Sequence, residues 1–384
     1  VRLAFCLYKY FPYGGMQRNF LKIANECHRR GHQVIVYTLS WQGEKPDWLE
    51  VVLVPVKALS SPRKYQKYSR WLECNLKNYS VDAVVGFNKM PGLDVYYCGD
   101  PCYEYKSQNL RSWWYRYSGR YRHFSSYEKA VFDQGMKPFI LMFSPVQQGL
   151  FKRFYDTEEE RVIMLPPGIS RDRCAPPNAA ELRQKFRTEF KLDENDLLVL
   201  QIGSGFRTKG LDRSLHALAA LPKELRDRTQ LFIIGQDDPA EFISLARKLG
   251  VDDKVTFFAG RDDIPVFLQG ADMLLHPSYA ENTGGVILEA VVAGLPVLVT
   301  DVCGYAHYVA EAEAGELLLS PYSQGDLDNK LEKMLIADKS KWRENAIKFS
   351  KHADIYDMPK KAADVIDQVI LKKKQEVSTL GESH

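Results

Sequence analysis

Leu165-Pro-Pro-Gly-Ile-Ser170 decides how this chain is put together. Consecutive prolines followed by glycine halt regular structure, because proline fixes φ and carries no N–H. Outward from this break the same pattern runs in both directions. On the N-terminal side, short apolar and β-branched runs lie at Leu3–Tyr8, Gln33–Leu39, Val51–Val56, Ala83–Phe87, Val95–Cys98, Phe139–Ser144 and Val162–Leu165. On the C-terminal side they lie at Leu197–Ile202, Gln230–Ile234, Val255–Phe258, Met273–His276, Val297–Thr300 and Glu316–Leu319. Helical stretches such as Met16–Arg30, Leu211–Leu221, Glu241–Leu249 and Gly285–Ala293 fall between them. Runs apolar on both faces, alternating with amphipathic helices, read as parallel sheets covered on both sides. The expectation is α/β: two doubly wound Rossmann-like domains, residues 1–168 and 169–354, facing across a deep cleft. The ligand is expected where the carboxyl ends of both sheets meet. A last helix, about 355–374, should pack back on the first domain. The polar end, Lys372 to His384, should fray.

With 384 residues, 45% hydrophobic and 26% charged, the composition is that of a globular protein and excludes disorder, collagen and coiled coil. Charge is unevenly spread. Residues 1–170 hold 24 Lys and Arg against 15 Asp and Glu, whereas the remainder holds 28 against 34. Only the first half is therefore expected to meet an anionic partner. No run reaches the roughly 18–20 apolar residues of a spanning helix. The start, Arg2-Leu-Ala-Phe-Cys-Leu-Tyr8, reads as a buried strand rather than a signal peptide. Seven scattered cysteines, an odd number, point to a reducing cytosol rather than a disulfide framework. Cys98 and Cys102 lack a second ligand pair and read as small buried residues. No Asp-x-Asp ends an apolar strand, and no Cys-x-x-Cys or Gly-x-Ser-x-Gly occurs. Metal-hydrolase and serine-hydrolase chemistry are unsupported, and no metal or other cofactor is expected.

Four segments carry chemistry. Gly14-Gly15 follows the first strand and opens a helix, so backbone N–H groups there could approach a phosphate, or the pair could be a plain tight turn. In the second half, Gly203-Ser-Gly-Phe-Arg-Thr-Lys209-Gly210 repeats the strand-to-helix turn and adds Arg207 and Lys209. Two cations at a helix start would hold a diphosphate, or form an ordinary solvated loop. In His276-Pro-Ser-Tyr-Ala-Glu281-Asn-Thr-Gly-Gly-Val-Ile-Leu-Glu289, Glu281 sits on a glycine-bearing loop and Glu289 within an apolar helix. A carboxylate among apolar neighbours needs a compensating partner, a cation or the hydroxyls of a sugar or ribose; the plainer alternative, which chemistry alone favours, is that Glu281 is a surface loop acid and Glu289 the polar edge of an ordinary helix. Tyr103 to Phe132 interleaves ten aromatics with Lys106, Arg111, Arg116, Arg120, Arg122, His123 and Lys129, against only Glu104 and Glu128. That composition fits an interfacial surface on anionic lipid, or an aromatic insert packed on its own core; nucleic-acid stacking is the weaker rival.

Glu281 and Glu289, eight positions apart, resemble the E-x7-E signature of family-4 retaining glycosyltransferases of the GT-B fold. Four longer strings sharpen the resemblance: Ala4-Phe-Cys-Leu-Tyr-Lys-Tyr-Phe-Pro, Gly86-Phe-Asn-Lys-Met-Pro-Gly-Leu-Asp-Val95, Leu165-Pro-Pro-Gly-Ile169 and Asp301-Val-Cys-Gly-Tyr-Ala-His-Tyr308. They are similar to members that add the first outer-core hexose to an inner-core heptose of Gram-negative lipopolysaccharide. The resemblance spans nearly the whole chain.

It implies roles for the matched residues. Glu281 would hold the donor sugar's hydroxyls, with Asn282, Thr283, Gly284, Gly285 and Val286 around it, and Glu289 would hold the ribose. Lys209 and Arg173, with Gly203 and Arg207, would neutralise the diphosphate, and Gly15 would bring its N–H to the same phosphates. Asp100 would face the donor sugar. Gly260 to Ile264, with Arg261, would meet the uracil. The catalytic assignments are Glu281, Asp100 and Lys209; the acceptor-side ones are Lys9, Asn88, Lys89, Arg120 and Arg122. The leaving phosphate would deprotonate the acceptor, so no protein nucleophile and no metal would be needed. Residues 103–132 would dock on the cytoplasmic face of the inner membrane, making the enzyme peripheral and cytoplasmic. Partners would be a UDP-hexose, a phosphorylated heptose of the core and the anionic membrane, with no nucleic acid. The sequence departs from the pattern at Ser204 and Thr208, where arginines are usual, and at Asn282-Thr283, where small apolar residues are usual. These changes leave glucose, galactose and N-acetylhexosamine open as the transferred sugar. A UDP-sugar 2-epimerase of the same fold and a non-enzymatic membrane scaffold are the alternative functions.

Overall fold

The apolar runs pair into two separate parallel sheets in the computed structural model, which describes residues 1–12, 14–76, 81–109 and 111–381. The first sheet comprises β1 (Arg2–Tyr10), β2 (Gln33–Trp41), β3 (Glu50–Leu53), β4 (Ala83–Gly86), β5 (Val95–Tyr97), β6 (Phe139–Met142) and β7 (Val162–Met164), in the order β3-β2-β1-β4-β5-β6-β7. The second comprises β8 (Leu197–Ile202), β9 (Thr229–Ile234), β10 (Val255–Phe258), β11 (Met273–His276), β12 (Val297–Thr300) and β13 (Gly315–Leu318), in the order β10-β9-β8-β11-β12-β13. Each expected strand forms, and the chain is α/β with two Rossmann-like sheets.

The period of two along a strand explains why both faces are covered. In β1, Leu3, Phe5 and Leu7 pack on one side with Phe20 and Ile23 of the helix Gly15–Arg29. Ala4, Cys6 and Tyr8 pack on the other side with Tyr68, Val131, Phe132 and Phe151. The second sheet repeats the arrangement: Leu198, Leu200 and Ile202 face one core and Val199 the other. A strand buried on both faces has no polar side to alternate, hence the continuous apolar runs.

By backbone proximity the chain forms two units, Val1–Gly168 with Asp357–His384, and Ile169–Tyr356. The helix Met358–Gly381 belongs to the first unit, where Met358, Ala362, Ala363 and Ile366 join the core. Arg30 binds Asp364 and Asp367 at 2.7 and 2.9 Å, and Lys373 binds Asp94 at 2.9 Å. This helix starts later than residue 355 and runs to Gly381, past its expected end near 374. Residues 372–381 are therefore helical where fraying was expected, and 382–384 lie outside the described residues. So does Leu110 of the aromatic segment.

In each sheet the first strand lies between neighbours that continue in opposite directions: β2 and β4 flank β1, and β9 and β11 flank β8. Such a switch point opens a crevice at the carboxyl ends of the strands. The chain leaves β1 toward Gly14-Gly15 and β4 toward Asn88-Lys89; it leaves β8 toward Gly203–Gly210 and β11 toward Glu281.

Candidate active site

In the second unit the crevice of β8 and β11 joins two loops. Gly210 is left-handed, with φ 71°, and a Cβ there would stand 2.1 Å from the carbonyl oxygen of Pro277. Only glycine allows so close an approach. Tyr279 donates its N–H to the Thr208 carbonyl at 2.9 Å. Arg213 donates to the carbonyls of Pro277 and Ser278 at 3.0 and 3.2 Å, sandwiched between the rings of Tyr279 and Tyr322. The Thr300 hydroxyl donates to the Ser278 carbonyl at 2.9 Å. Both loops are thus fixed before any ligand arrives.

Lys209 Nζ and Glu281 Oε2 meet there in an ion pair, their side chains only 18% and 15% exposed. His276, the last residue of β11, is fully buried, with Nε2 3.5 Å from the same Glu281 oxygen. Burial, and then the neighbouring Lys209 charge, pulls the His276 pKa from 6.5 down to about 3, so the imidazole is neutral. Neither of its nitrogens has a hydrogen-bond partner. The loop after Glu281 is held by a bridge to Cys303 and by the Tyr305 N–H, which donates to the Thr283 carbonyl at 2.8 Å. A Cβ on Gly304 would lie 2.0 Å from the Asn282 carbonyl oxygen, so Asn282 and Thr283 run directly over that glycine. Gly284, φ 84°, then turns the chain into the helix Gly285–Val292, which begins with Gly285 and Val286 and carries the partly buried Glu289.

Other predicted donor residues lie differently. Arg207 is exposed and binds the Glu241 carboxylate, with a 2.7 Å contact to Oε1, rather than joining Lys209. The N–H groups of Gly205 and Phe206 donate to Asp237 Oδ2 at 2.8 and 2.9 Å, so the turn after Gly203 has its amides occupied by a carboxylate of the protein. Arg261 forms a two-point pair with Asp263 at 2.7 and 2.6 Å, and Ile264 begins the following short helix. Arg173 is mostly enclosed, 3.8 Å from Asp172, and its Nη1 is buried without a hydrogen-bond partner.

In the first unit, Gly15 begins a 15-residue helix, and a Cβ there would meet nothing within 4 Å. Lys9 and Asp100 are exposed. Two acceptor-side residues have partners within the first unit. Asn88 Oδ1 accepts from the Tyr8 N–H at 2.8 Å, which ties it to β1. Lys89 is turned inward: it pairs with Glu128, donates to the Pro101 carbonyl at 2.9 Å and lies over Phe132 and Phe151. Arg120 and Arg122 are exposed, Arg120 over the ring of Phe124. They belong to a surface where Trp113, Trp114 and Tyr117 are 76%, 63% and 75% exposed.

Two residues of consequence escape the sequence reading. His276 left a trace as the polar end of the apolar run Met273-Leu-Leu-His276. Glu128 left none, because Lys89 is 39 positions away.

Residues 183–352 match the family described as Glycosyl transferases group 1. The chain is 46% identical, over 366 residues, to "Lipopolysaccharide glucosyltransferase WaaG" of Escherichia coli (strain K12), covering 95% of this chain and 98% of that protein. The chain belongs to the WaaG family of glycosyltransferases. The crystal structure of WaaG, a glycosyltransferase involved in lipopolysaccharide biosynthesis, matches with TM-score 0.91 and 47% identity over 95% of this chain and 99% of that one. Anabaena Alr3699/HepE in complex with UDP-glucose matches with TM-score 0.73, but its 18% identity over 96% and 99% of the two chains carries the fold alone. Like WaaG, the chain is a glycosyltransferase of GT-B architecture. Among the described residues no group of three or more His, Cys, Asp or Glu is placed to hold a metal ion. No described helix is long and apolar enough to cross a membrane.

Proposed function

We propose that this enzyme transfers a hexose, with retention, from a UDP-sugar to a phosphorylated heptose of the lipopolysaccharide core, working as a peripheral protein on the cytoplasmic face of the inner membrane. The observation that carries this reading is the Lys209–Glu281 ion pair at the switch point of the second sheet. Without donor, the two charges neutralise each other. A diphosphate brings stronger acceptors for the ammonium, and charge-assisted bonds to phosphate draw Lys209 over. Glu281 is then released to accept bonds from the sugar's hydroxyls. The unpartnered nitrogen of Arg173 supports a second cation on the diphosphate. Glu289 accepts from the ribose hydroxyls, and Gly15 offers room for a phosphate at a helix start.

In the chemical step the bond between the anomeric carbon and the phosphate oxygen breaks, and a bond to the acceptor oxygen forms on the same face. The departing phosphate takes the acceptor's proton. Lys209 and Arg173 stabilise the charge that gathers on that phosphate. No metal is required in this scheme. Lys9, Arg120 and Arg122 remain surface cations for the phosphorylated heptose. The exposed Trp113, Trp114 and Tyr117, set among Arg111, Arg116 and Arg122, support docking on anionic lipid. The E. coli relative is named a glucosyltransferase, which favours UDP-glucose; Asn282-Thr283 is where another hexose would be admitted.

The test offers UDP-glucose, UDP-galactose and UDP-N-acetylglucosamine in turn with a truncated core acceptor, reading products by mass. One hexose added to the acceptor is expected. Free sugar released with no glycolipid product would replace this reading with an epimerase.

A further inference from the structure

We infer that His276 is a positioning residue for Glu281, holding that carboxylate through an Nε2–H donated to Oε2 once the diphosphate has drawn Lys209 away. The inference rests on the reading of Glu281 as acceptor for the sugar's hydroxyls.

Three observations converge. His276 is fully buried, and neither ring nitrogen has a partner, although the rest of β11 is apolar. Leaving a buried polar group without a bond is destabilising, so an aliphatic side chain would suit the core better unless the imidazole has other work. Glu281 Oε2 lies 3.5 Å from Nε2: too long for a good hydrogen bond, but within half an ångström of one. Contacts of this kind are often loose before the substrate binds and tighten in the complex.

The third observation is which oxygen is held. Lys209 and His276 both approach Oε2, which leaves Oε1 to face a hydroxyl. When Lys209 turns to the diphosphate, a carboxylate that is 15% exposed loses its counter-charge. Such a group needs another donor or it will move. His276 is in place to become that donor. Burial, the larger cause of its lowered pKa, keeps it neutral, so it steadies Glu281 without adding a cation that competes with Lys209 for the diphosphate. The titratable groups around it are Lys209, Glu281 and, beyond Lys209, the buried Cys303, whose thiol burial pushes up. None of them offers Glu281 a second donor once Lys209 has left.

The experiment compares His276→Leu, His276→Gln, His276→Asn and Glu281→Ala in the full chain. It measures kcat, KM for the UDP-sugar and the UDP dissociation constant by calorimetry. Leu fills the space and cannot donate; Gln reaches Oε2 with an amide N–H, and Asn is one methylene short. Because a mispositioned catalytic group loses on the order of 10²-fold in rate, Leu and Asn should lower kcat by about 10- to 100-fold while UDP affinity stays within about twofold, and Gln should recover most of the loss. Wild-type kcat in His276→Leu beside an inactive Glu281→Ala would overturn the role of His276 and leave the Glu281 reading standing. Wild-type turnover in Glu281→Ala would instead overturn that reading. Should Leu fail to fold, Gln and Asn decide alone: equal kcat in the two overturns the inference.

Discussion

Glu128→Ala should unfold the first unit far more readily than its position in an aromatic, basic segment would suggest. The carboxylate is fully buried. It accepts from the N–H groups of Tyr103 and Glu104 at 2.8 and 3.0 Å and from the Tyr155 hydroxyl at 2.5 Å, and it pairs with Lys89. Removing it leaves the Lys89 ammonium, whose side chain is 10% exposed, with the Pro101 carbonyl and two aromatic faces but without its paired carboxylate. Breaking a buried ion pair from one side costs about 3–5 kcal/mol, and the orphaned N–H groups keep the value in the upper part of that range. Lys89→Met should cost less, because Glu128 keeps its neutral donors, the Cys102 thiol among them. The double variant Lys89→Met/Glu128→Leu should be less damaged than Glu128→Ala, because no unpaired charge is left inside. The assay is urea unfolding followed by tryptophan fluorescence. Five of the six tryptophans, at positions 41, 48, 71, 113 and 114, lie in the first unit, so the signal reports chiefly on it. For a slope of about 2 kcal/mol/M, a loss of about 4 kcal/mol lowers the midpoint of that transition by about 2 M. A shift under about 0.5 M, on the same scale, would refute the argument, as would a larger loss in Lys89→Met than in Glu128→Ala.

Lys209→Ala removes a charge-assisted contact worth about 1.5–3 kcal/mol, so UDP should bind about 10- to 150-fold more weakly by calorimetry. Gly304→Ala sets a methyl 2.0 Å from the backbone oxygen of Asn282, so the loop bearing Glu281 must shift and kcat should fall by about 10²-fold for a displacement near 1 Å. His276 titrates at about 3 when folded and near 6.5 when unfolded, so the unfolded chain takes the proton first as pH falls. Its contribution is therefore complete above pH 6.5 and declines toward pH 3 by about 1.4 kcal/mol per unit; His276→Gln should flatten this acid limb in denaturant titrations. Trp113→Ala/Trp114→Ala should reduce flotation with anionic vesicles, and flotation of the parent chain should weaken as salt shortens the Debye length to about 8 Å at 0.15 M.

Both sheets were legible in the sequence because strands buried on two faces leave nearly continuous apolar runs: Leu3–Tyr8 carries that signature without interruption and Leu197–Ile202 with Gln201 alone polar. The break at Leu165–Ser170 was legible because Pro-Pro-Gly acts locally, and the second unit begins at Ile169. Lys209 and Glu281 could be singled out because each lies just beyond a strand's carboxyl end. Their meeting could not, since it depends on Gly210 passing close to Pro277. Arg207 shows the converse: a cation in a promising loop was claimed by Glu241, a pairing that no local pattern announces. Lys89 is a related case. Its string reads as a loop cation, yet Glu128, on a helix far along the chain, draws it inside.

Two lysine–glutamate pairs in this chain share their chemistry and differ in their surroundings, and the difference separates a fixed pair from an exchangeable one. Glu128 is wholly enclosed and has four neutral donors besides its lysine, so nothing entering from solvent can offer it more than it already has. Lys89 is held by a carbonyl and two aromatic faces as well. Glu281 keeps some exposure and has one cation, and its other polar neighbour stands at a distance too long to bond. A ligand carrying phosphate and hydroxyl groups can therefore outbid each half of that pair at once, taking the ammonium with one group and the carboxylate with the other. A buried pair that is over-supplied with partners holds a segment in place. A pair supplied only by itself is poised to open, and that physical asymmetry, rather than the residue types, is the ground on which we propose Lys209 and Glu281 as the working site.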